Sequence, residues 1–212
     1  MYSIAIDGPA GSGKSTISKI LAKKLNYEHI DTGAMYRAIT LKALRLGINL
    51  ENEAEYDFLD DTHLMIDGDK LYMDGEDVSV DIRSVLVTTN ASTPAKLGRV
   101  REELVKFQRE IAAHKNVIMD GRDIGTVVLP NANLKIFLDA TPECRAARRM
   151  KEREASGVVK SFDETLSEIK TRDFKDSTRK ISPLKQADDA IRIDTSDMTI
   201  EEVVEHIIKL IK

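Results

Sequence analysis

Along most of this chain, short unbroken apolar runs alternate with longer stretches in which an apolar residue returns every three or four positions. The runs at 3–7, 117–119, 134–138 and 190–193 predict buried parallel strands, because a strand covered on both faces shows no polar alternation. A short extended piece at 27–31 joins them. Between the runs lie helical rhythms. Ile17, Ile20, Leu21 and Leu25 share one face of 14–25, and a second helix runs from about 33 to 46 until Gly47 stops it. Thr93-Pro94 predicts the opening of a long helix, Thr as its cap and Pro at its first position, with Leu97, Val100, Leu104, Phe107 and Ile111 as the seam. Thr141-Pro142-Glu143 and Thr199-Ile200-Glu201-Glu202 predict two more starts, the second burying Val203, Val204, Ile207 and Ile211. This alternation predicts an α/β fold: a doubly wound parallel sheet flanked by helices, with ligands at the carboxyl ends of its strands.

One region breaks the rhythm. Residues 53–60 predict a short acidic helix, and the turn signals Asp67-Gly68 and Asp74-Gly75 separate alternating pieces at 64–66, 70–73 and 77–80. This predicts a small antiparallel meander inserted on the substrate side of the sheet. At 212 residues the chain suits a single domain. Its expected division is a core at about 1–35, 84–145 and 181–212, a substrate-side region at about 36–83 with the insert at about 64–80, and a lid at about 146–180.

Composition changes the picture in three ways. Apolar content of 42% with no bilayer-length run excludes a membrane-spanning helix, and Met1 leads straight into a strand, so neither signal nor transit segment is expected. Cys144 is the one cysteine, which excludes an internal disulfide and suits a reducing cytoplasm. A net charge of -4 argues against a general nucleic-acid surface, yet Lys and Arg crowd 145–180, which points to a small anionic ligand. His29, His63, His114 and His206 lack metal-ligand spacing and read as structural or surface residues.

The chemistry begins directly behind the first run. Gly8-Pro9-Ala10-Gly11-Ser12-Gly13-Lys14-Ser15 fits G-x-x-x-x-G-K-[ST], between a strand and a helix as that loop requires. Its glycines let backbone N–H groups turn inward around phosphate oxygens, Lys14 reaches the β- and γ-phosphates, and Ser15 can stand on Mg²⁺. Thr16 continues the nucleotide-binding segment at the helix N-terminus, whose dipole favours the same anion. Asp31-Thr32-Gly33-Ala34-Met35-Tyr36-Arg37 follows the second strand, and Asp120-Gly121-Arg122-Asp123-Ile124-Gly125 follows the third. Asp120 is placed to hold a magnesium-bound water. Arg145, Arg148, Arg149, Arg153, Arg172, Lys175 and Arg179, interrupted by Ser156-Gly157, form a cationic helix–loop–helix able to close over phosphates. A strand-end Asp can equally cap a helix, and an Arg-rich helix can be a solvated face. Guanine-reading Asn-Lys-x-Asp or Thr-Lys-x-Asp and the Ser-Gly-Gly of transport ATPases are absent, and the small size and the insert favour a small-molecule kinase.

The loop, the Asp31–Arg37 motif, Met119-Asp120-Gly121-Arg122-Asp123-Ile124-Gly125-Thr126-Val127-Val128, and Ile181-Ser182-Pro183-Leu184 followed by Ala187-Asp188-Asp189-Ala190 resemble the signatures of bacterial cytidylate kinases. The likeness spans nearly the whole chain. Other nucleoside monophosphate kinases usually carry Asp-Gly-Phe-Pro-Arg where Asp-Gly-Arg-Asp stands. The resemblance implies a P-loop NTPase fold and transfer from ATP to CMP or dCMP with Mg²⁺. Carried over, Lys14, Arg122, Arg145 and Arg172 are catalytic, and Gly8 to Thr16 with Arg149 hold ATP. Arg37 and Arg122 hold the acceptor phosphate, while Arg101, Asp123 and Arg179 read cytosine with Thr32 nearby. Ser92, Arg172 and Asp176 contact the sugar, Arg145 and Arg149 close on the donor phosphates, and Ser15 and Asp120 serve the metal. Thr32 stands where relatives often have Ser, and Lys175 where some have Arg. A cytoplasmic monomer is implied. The competing readings are a kinase for uridylate or another metabolite, and a nucleotide-dependent switch protein.

Overall fold

The computed structural model describes residues 1–155 and 160–211. The expected Ser156-Gly157 interruption lies outside them. Five strands, β1 (Ser3–Asp7), β2 (Glu28–Asp31), β6 (Val117–Gly121), β7 (Leu134–Asp139) and β8 (Ile191–Asp194), form a parallel sheet in the order β2-β6-β1-β7-β8. The order reverses around β1, so the carboxyl ends of β1 and β6 flank the crevice where such sheets take ligands.

Pleating sorts the strand residues between two cores. Ile4, Ile6 and Ile118 face α1 (Lys14–Leu25) and α7 (Ile200–Leu210), meeting Ile17, Leu21, Val203, Val204 and Ile207. Ala5, Val117 and Met119 face α2 (Thr32–Leu46) and α4 (Gly98–His114), meeting Met35, Ile39, Val100 and Leu104. Helix α2 also buries its other side. Ala38 and Leu41 pack on Leu71, Met73, Val78 and Ile82, which fixes the insert to the core. The insert is the antiparallel sheet β3 (Leu64–Asp67), β4 (Lys70–Met73) and β5 (Glu76–Asp77). Its turns place Gly68 at φ 57° and Asp74 and Gly75 at 53° and 85°, the left-handed conformations that such tight turns need. α3 (Val85–Asn90) follows it, and α5 (Pro142–Ala155) and α6 (Phe162–Thr178) form a helical pair beyond β7. Among the described residues no helix is long and apolar enough to cross a membrane.

Five expectations change. The long helix begins at Gly98, not Pro94: a single 3-10 turn, Pro94–Lys96, precedes an extended Leu97. Thr93 makes no side-chain cap; instead Glu53 accepts from the Arg99 N–H at 2.6 Å. The acidic stretch forms two 3-10 turns, Glu53–Glu55 and Asp57–Asp61, because Glu55 folds back onto Asn49 N (3.0 Å) and Asn52 Nδ2 (2.7 Å) rather than supporting a helix. β8 buries Ile193 alone, since it pairs only with β7 and forms the sheet edge. The third insert strand is confined to two residues, and Ile211 caps α7 half-buried.

Candidate active site

Strand β1 ends at Asp7 and the chain turns at once. Gly8 sits at φ 146°, where a Cβ would come 2.0 Å from the Leu138 carbonyl oxygen; only glycine passes. Gly13 enters α1 at φ 89°. The Lys14 ammonium lies inside the loop, donating to the Pro9 carbonyl at 2.6 Å and to Ser12 Oγ at 3.3 Å. Burial, reinforced by Arg122 and Arg172, holds its pKa well below the usual lysine value. From below, Arg145 braces the loop: Nε donates to the Ala140 carbonyl at 2.9 Å, Nη1 to the Ala10 carbonyl at 3.1 Å, and Nη2 meets Asp173 of α6 at 2.7 Å. Arg145 is therefore buried beneath the loop rather than free on a closing face. Thr16 is exposed in the first turn of α1.

At the end of β6, Asp120 is buried with both oxygens engaged. Oδ2 accepts from Ser15 Oγ at 2.7 Å, and Oδ1 stands 2.7 Å from His29 Nε2. Thr32 donates to the Asp120 carbonyl at 2.8 Å, tying α2 to the same strand end. Arg122 Nε meets Asp176 of α6 at 2.9 Å. Asp123 is buried between Arg101, which it binds closely, and Arg179 Nη2 at 3.5 Å. Arg101 also donates to the Ala95 carbonyl at 3.1 Å and lies 5.4 Å from the Tyr36 ring centroid. The turn before α4 thus supplies an anchor for Arg101.

Arg37 Nη2 pairs with Asp31 at 2.9 Å, and Arg172 lies half-buried on α6. Burial, then Arg122, pulls the Arg172 pKa down to about 10, with Arg149 and Arg37 adding to the same field. Loop lysine, strand-end arginines and α6 arginine therefore converge. Among the described residues, Arg37 Nε and Arg101 Nε are buried without a hydrogen-bond partner, and Arg179 Nη2 has its 3.5 Å ion pair with Asp123 but no hydrogen bond. Two expected members stand further out. Arg149 is half-buried and pairs with Glu152 at 3.3 Å, and Ser92 is half-buried in the turn after α3.

Asp7, His29 and Asp173 are site residues that residue types alone did not single out. Asp7 accepts from the Ile124 and Gly125 N–H groups at 2.8 and 2.7 Å, pinning the turn that follows Arg122 and Asp123. Burial outweighs those donors and pushes its carboxyl from 3.8 up to about 6. Stability from this group is full below the unfolded value and lost as pH rises through the folded one, by roughly 3 kcal/mol. The stability of the native chain minus that of Asp7→Asn should therefore fall between pH 4 and pH 7 in denaturant titrations; a flat difference contradicts the assignment.

The family model for cytidylate kinase matches residues 4–212. The chain belongs to the cytidylate kinase family. It is 53% identical over 210 residues to the cytidylate kinase of Caldanaerobacter subterraneus subsp. tengcongensis, covering 99% of this chain and 94% of that one. To the cytidylate kinase of Fusobacterium nucleatum it is 52% identical, covering 99% and 96%. Among solved structures, a protein from Eubacterium ventriosum matches with a TM-score of 0.55 at 17% identity, covering 100% of this chain and 98% of that one. Shikimate kinase from Bacteroides thetaiotaomicron matches at 0.50 and 15%, covering 99% and 97%. These two likenesses bear on the fold alone.

Proposed function

We infer that this chain transfers the γ-phosphoryl group of ATP to CMP or dCMP, releasing ADP and CDP or dCDP. The observation that carries the reading is the convergence of Lys14, Arg37, Arg122 and Arg172 between the phosphate loop and the buried Arg101–Asp123–Arg179 group. The loop and Lys14 take the β- and γ-phosphates of ATP, with Gly8 to Thr16 lining them, Arg145 fixing the loop and Arg149 reaching over from α5. Arg37 and Arg122 hold the acceptor phosphate. Asp123 accepts from the cytosine 4-amino group, Arg101 and Arg179 donate to its ring nitrogen and carbonyl, and Thr32 closes the floor. Ser92, Arg172 and Asp176 face the sugar.

An oxygen of the CMP phosphate attacks the γ-phosphorus while the bond to the β–γ bridging oxygen breaks and ADP carries away the electron pair. The attacking oxygen is already anionic, so no base is required. Arg122, Arg172 and Lys14 surround the charge that spreads in the loose transition state, and α5 with α6, acting as a lid, keeps water from competing. Ser15 Oγ and an Asp120 oxygen, 2.7 Å apart, are the hard oxygen donors that Mg²⁺ prefers. When bound there it would neutralise the β- and γ-oxygens. The enzyme is read as a cytoplasmic monomer.

Coupled assays of ADP release over CMP, dCMP, UMP and AMP test this. CMP and dCMP should exceed UMP by at least about a hundredfold in kcat/KM, because uracil reverses the donor–acceptor pattern that Asp123 meets. A preference for UMP or AMP, or ATP consumption independent of acceptor, would overturn it.

A further inference from the structure

We propose that His29 is a positioning residue for phosphoryl transfer, fixing the Asp120 carboxylate so that Oδ2 is presented toward Ser15 and the nucleotide. The inference rests on the reading of Asp120 as a cation-side residue. The geometry is specific. His29 lies on β2 and Asp120 on the neighbouring β6, their side chains 11% and 4% exposed. Asp120 Oδ2 is taken by Ser15 Oγ at 2.7 Å, which leaves Oδ1 buried and dependent on one donor, His29 Nε2 at 2.7 Å. A carboxylate can only accept, so Nε2 carries the proton. Two donors, one on each oxygen, lock the carboxyl plane, whereas Ser15 alone would leave it free to rotate. Support of this kind behind a metal-side carboxylate is worth about 10- to 100-fold in affinity or activity.

His29 also lines the cavity beneath the insert with Lys19, Asp31 and Asp69. The ring therefore connects the Asp120 carboxylate to the insert side of the fold, where Lys19 of α1 and Asp69 of the β3–β4 turn pair at 2.5 Å. An apolar side chain at this position would fill the space but supply no proton.

The test uses the full chain with His29→Leu, His29→Gln and Asp120→Asn, each checked by its thermal midpoint. Mn²⁺ affinity in the ADP-saturated protein, read by electron paramagnetic resonance, accompanies kcat and KM. His29→Leu should weaken Mn²⁺ binding and lower kcat by about tenfold with KM for CMP unchanged, and His29→Gln, whose amide can still donate, should recover most of both. Leu and native proteins alike in Mn²⁺ affinity and kcat would overturn the proposal, as would a loss that Gln does not recover. If Asp120→Asn itself leaves Mn²⁺ affinity intact, the cation-side reading of Asp120 fails first; if Asp120→Asn loses it while His29→Leu does not, only the role of His29 fails. Should His29→Leu not fold, nitrogen-15 spectra of the native ligand-free protein still decide: a proton on Nε2 is expected, and a neutral ring protonated on Nδ1 would refute it.

Discussion

Lys14→Ala should lower kcat by about a thousandfold or more while leaving the thermal midpoint unchanged or raised. The two halves of this expectation share one cause. In the folded protein the Lys14 amine is buried against Pro9 and Ser12 in a field of Arg122 and Arg172, and burial first, then those guanidinium groups, holds its pKa well below the usual value. For a base whose folded pKa is depressed, stability rises with pH and is lost as pH falls through the folded value. Burying this amine is thus a burden on the fold at any pH below the ordinary lysine value, and alanine removes it. A polyphosphate reverses the balance by supplying the missing counter-charge, so nucleotide binding should draw protons toward Lys14. Calorimetry of ATP-analogue binding in buffers of different ionisation enthalpy should show proton uptake in the native protein and less in Lys14→Ala. Near-normal single-turnover transfer to CMP by a folded Lys14→Ala protein would refute the placement.

Lys14 could be located from residue types because everything that defines it is local. A strand, a glycine turn and a helix start occupy fifteen consecutive residues, and each has its own signal. The insert was legible for the same reason: Asp67-Gly68 and Asp74-Gly75 specify their turns without help from distant contacts. What the pattern missed is set across the chain. The cap of α4 comes from Glu53, 46 residues away, so Thr93-Pro94 looked like a helix start when the chain instead bends there to anchor Arg101. His29 reaches Asp120 across 91 positions, and the contact exists only in the register that pairs Asp31 with Asp120. Parallel register has no local code, so a histidine with no metal spacing reads as a structural or surface residue. Asp7 was visible as the end of a strand, but its partners Ile124 and Gly125 are backbone N–H groups, which no residue type reveals. The burial of β8 was overestimated because an apolar run does not say whether its strand is central or at an edge.

The arginines posed the opposite problem. Their abundance in 145–180 was plain, but an arginine's role depends on which carboxylate claims it. Arg145 is claimed by Asp173 and Arg122 by Asp176, both from α6, while among the described residues Arg172 keeps only the long-range pull of Asp176 against several cations. Helix α6 thus presents acids and a base to the same crevice. Its two acids reach the phosphate-loop brace and the strand-end arginine, so a movement of α6 is felt at both.

The same logic makes Asp123 the most selective position. Asp123→Ala should cut kcat/KM for CMP by about a hundredfold or more while the KM for ATP changes less than about twofold. The carboxylate is shared between two buried guanidinium groups, and a cytosine 4-amino group would meet it where Arg101 and Arg179 complete the pattern. Its removal also leaves two buried cations unpaired, with Arg101 Nε already lacking a partner, so unfolding free energy should fall by about 3–5 kcal/mol. Asp123→Asn separates base reading from stability. The amide keeps the shape and can rotate to offer N–H to the uracil 4-oxygen, so the ratio of kcat/KM for CMP over UMP should drop sharply in a protein that still folds. Equal losses toward CMP and ATP, or an unchanged CMP-to-UMP ratio in Asp123→Asn, would show that this carboxylate holds the fold and does not read the base.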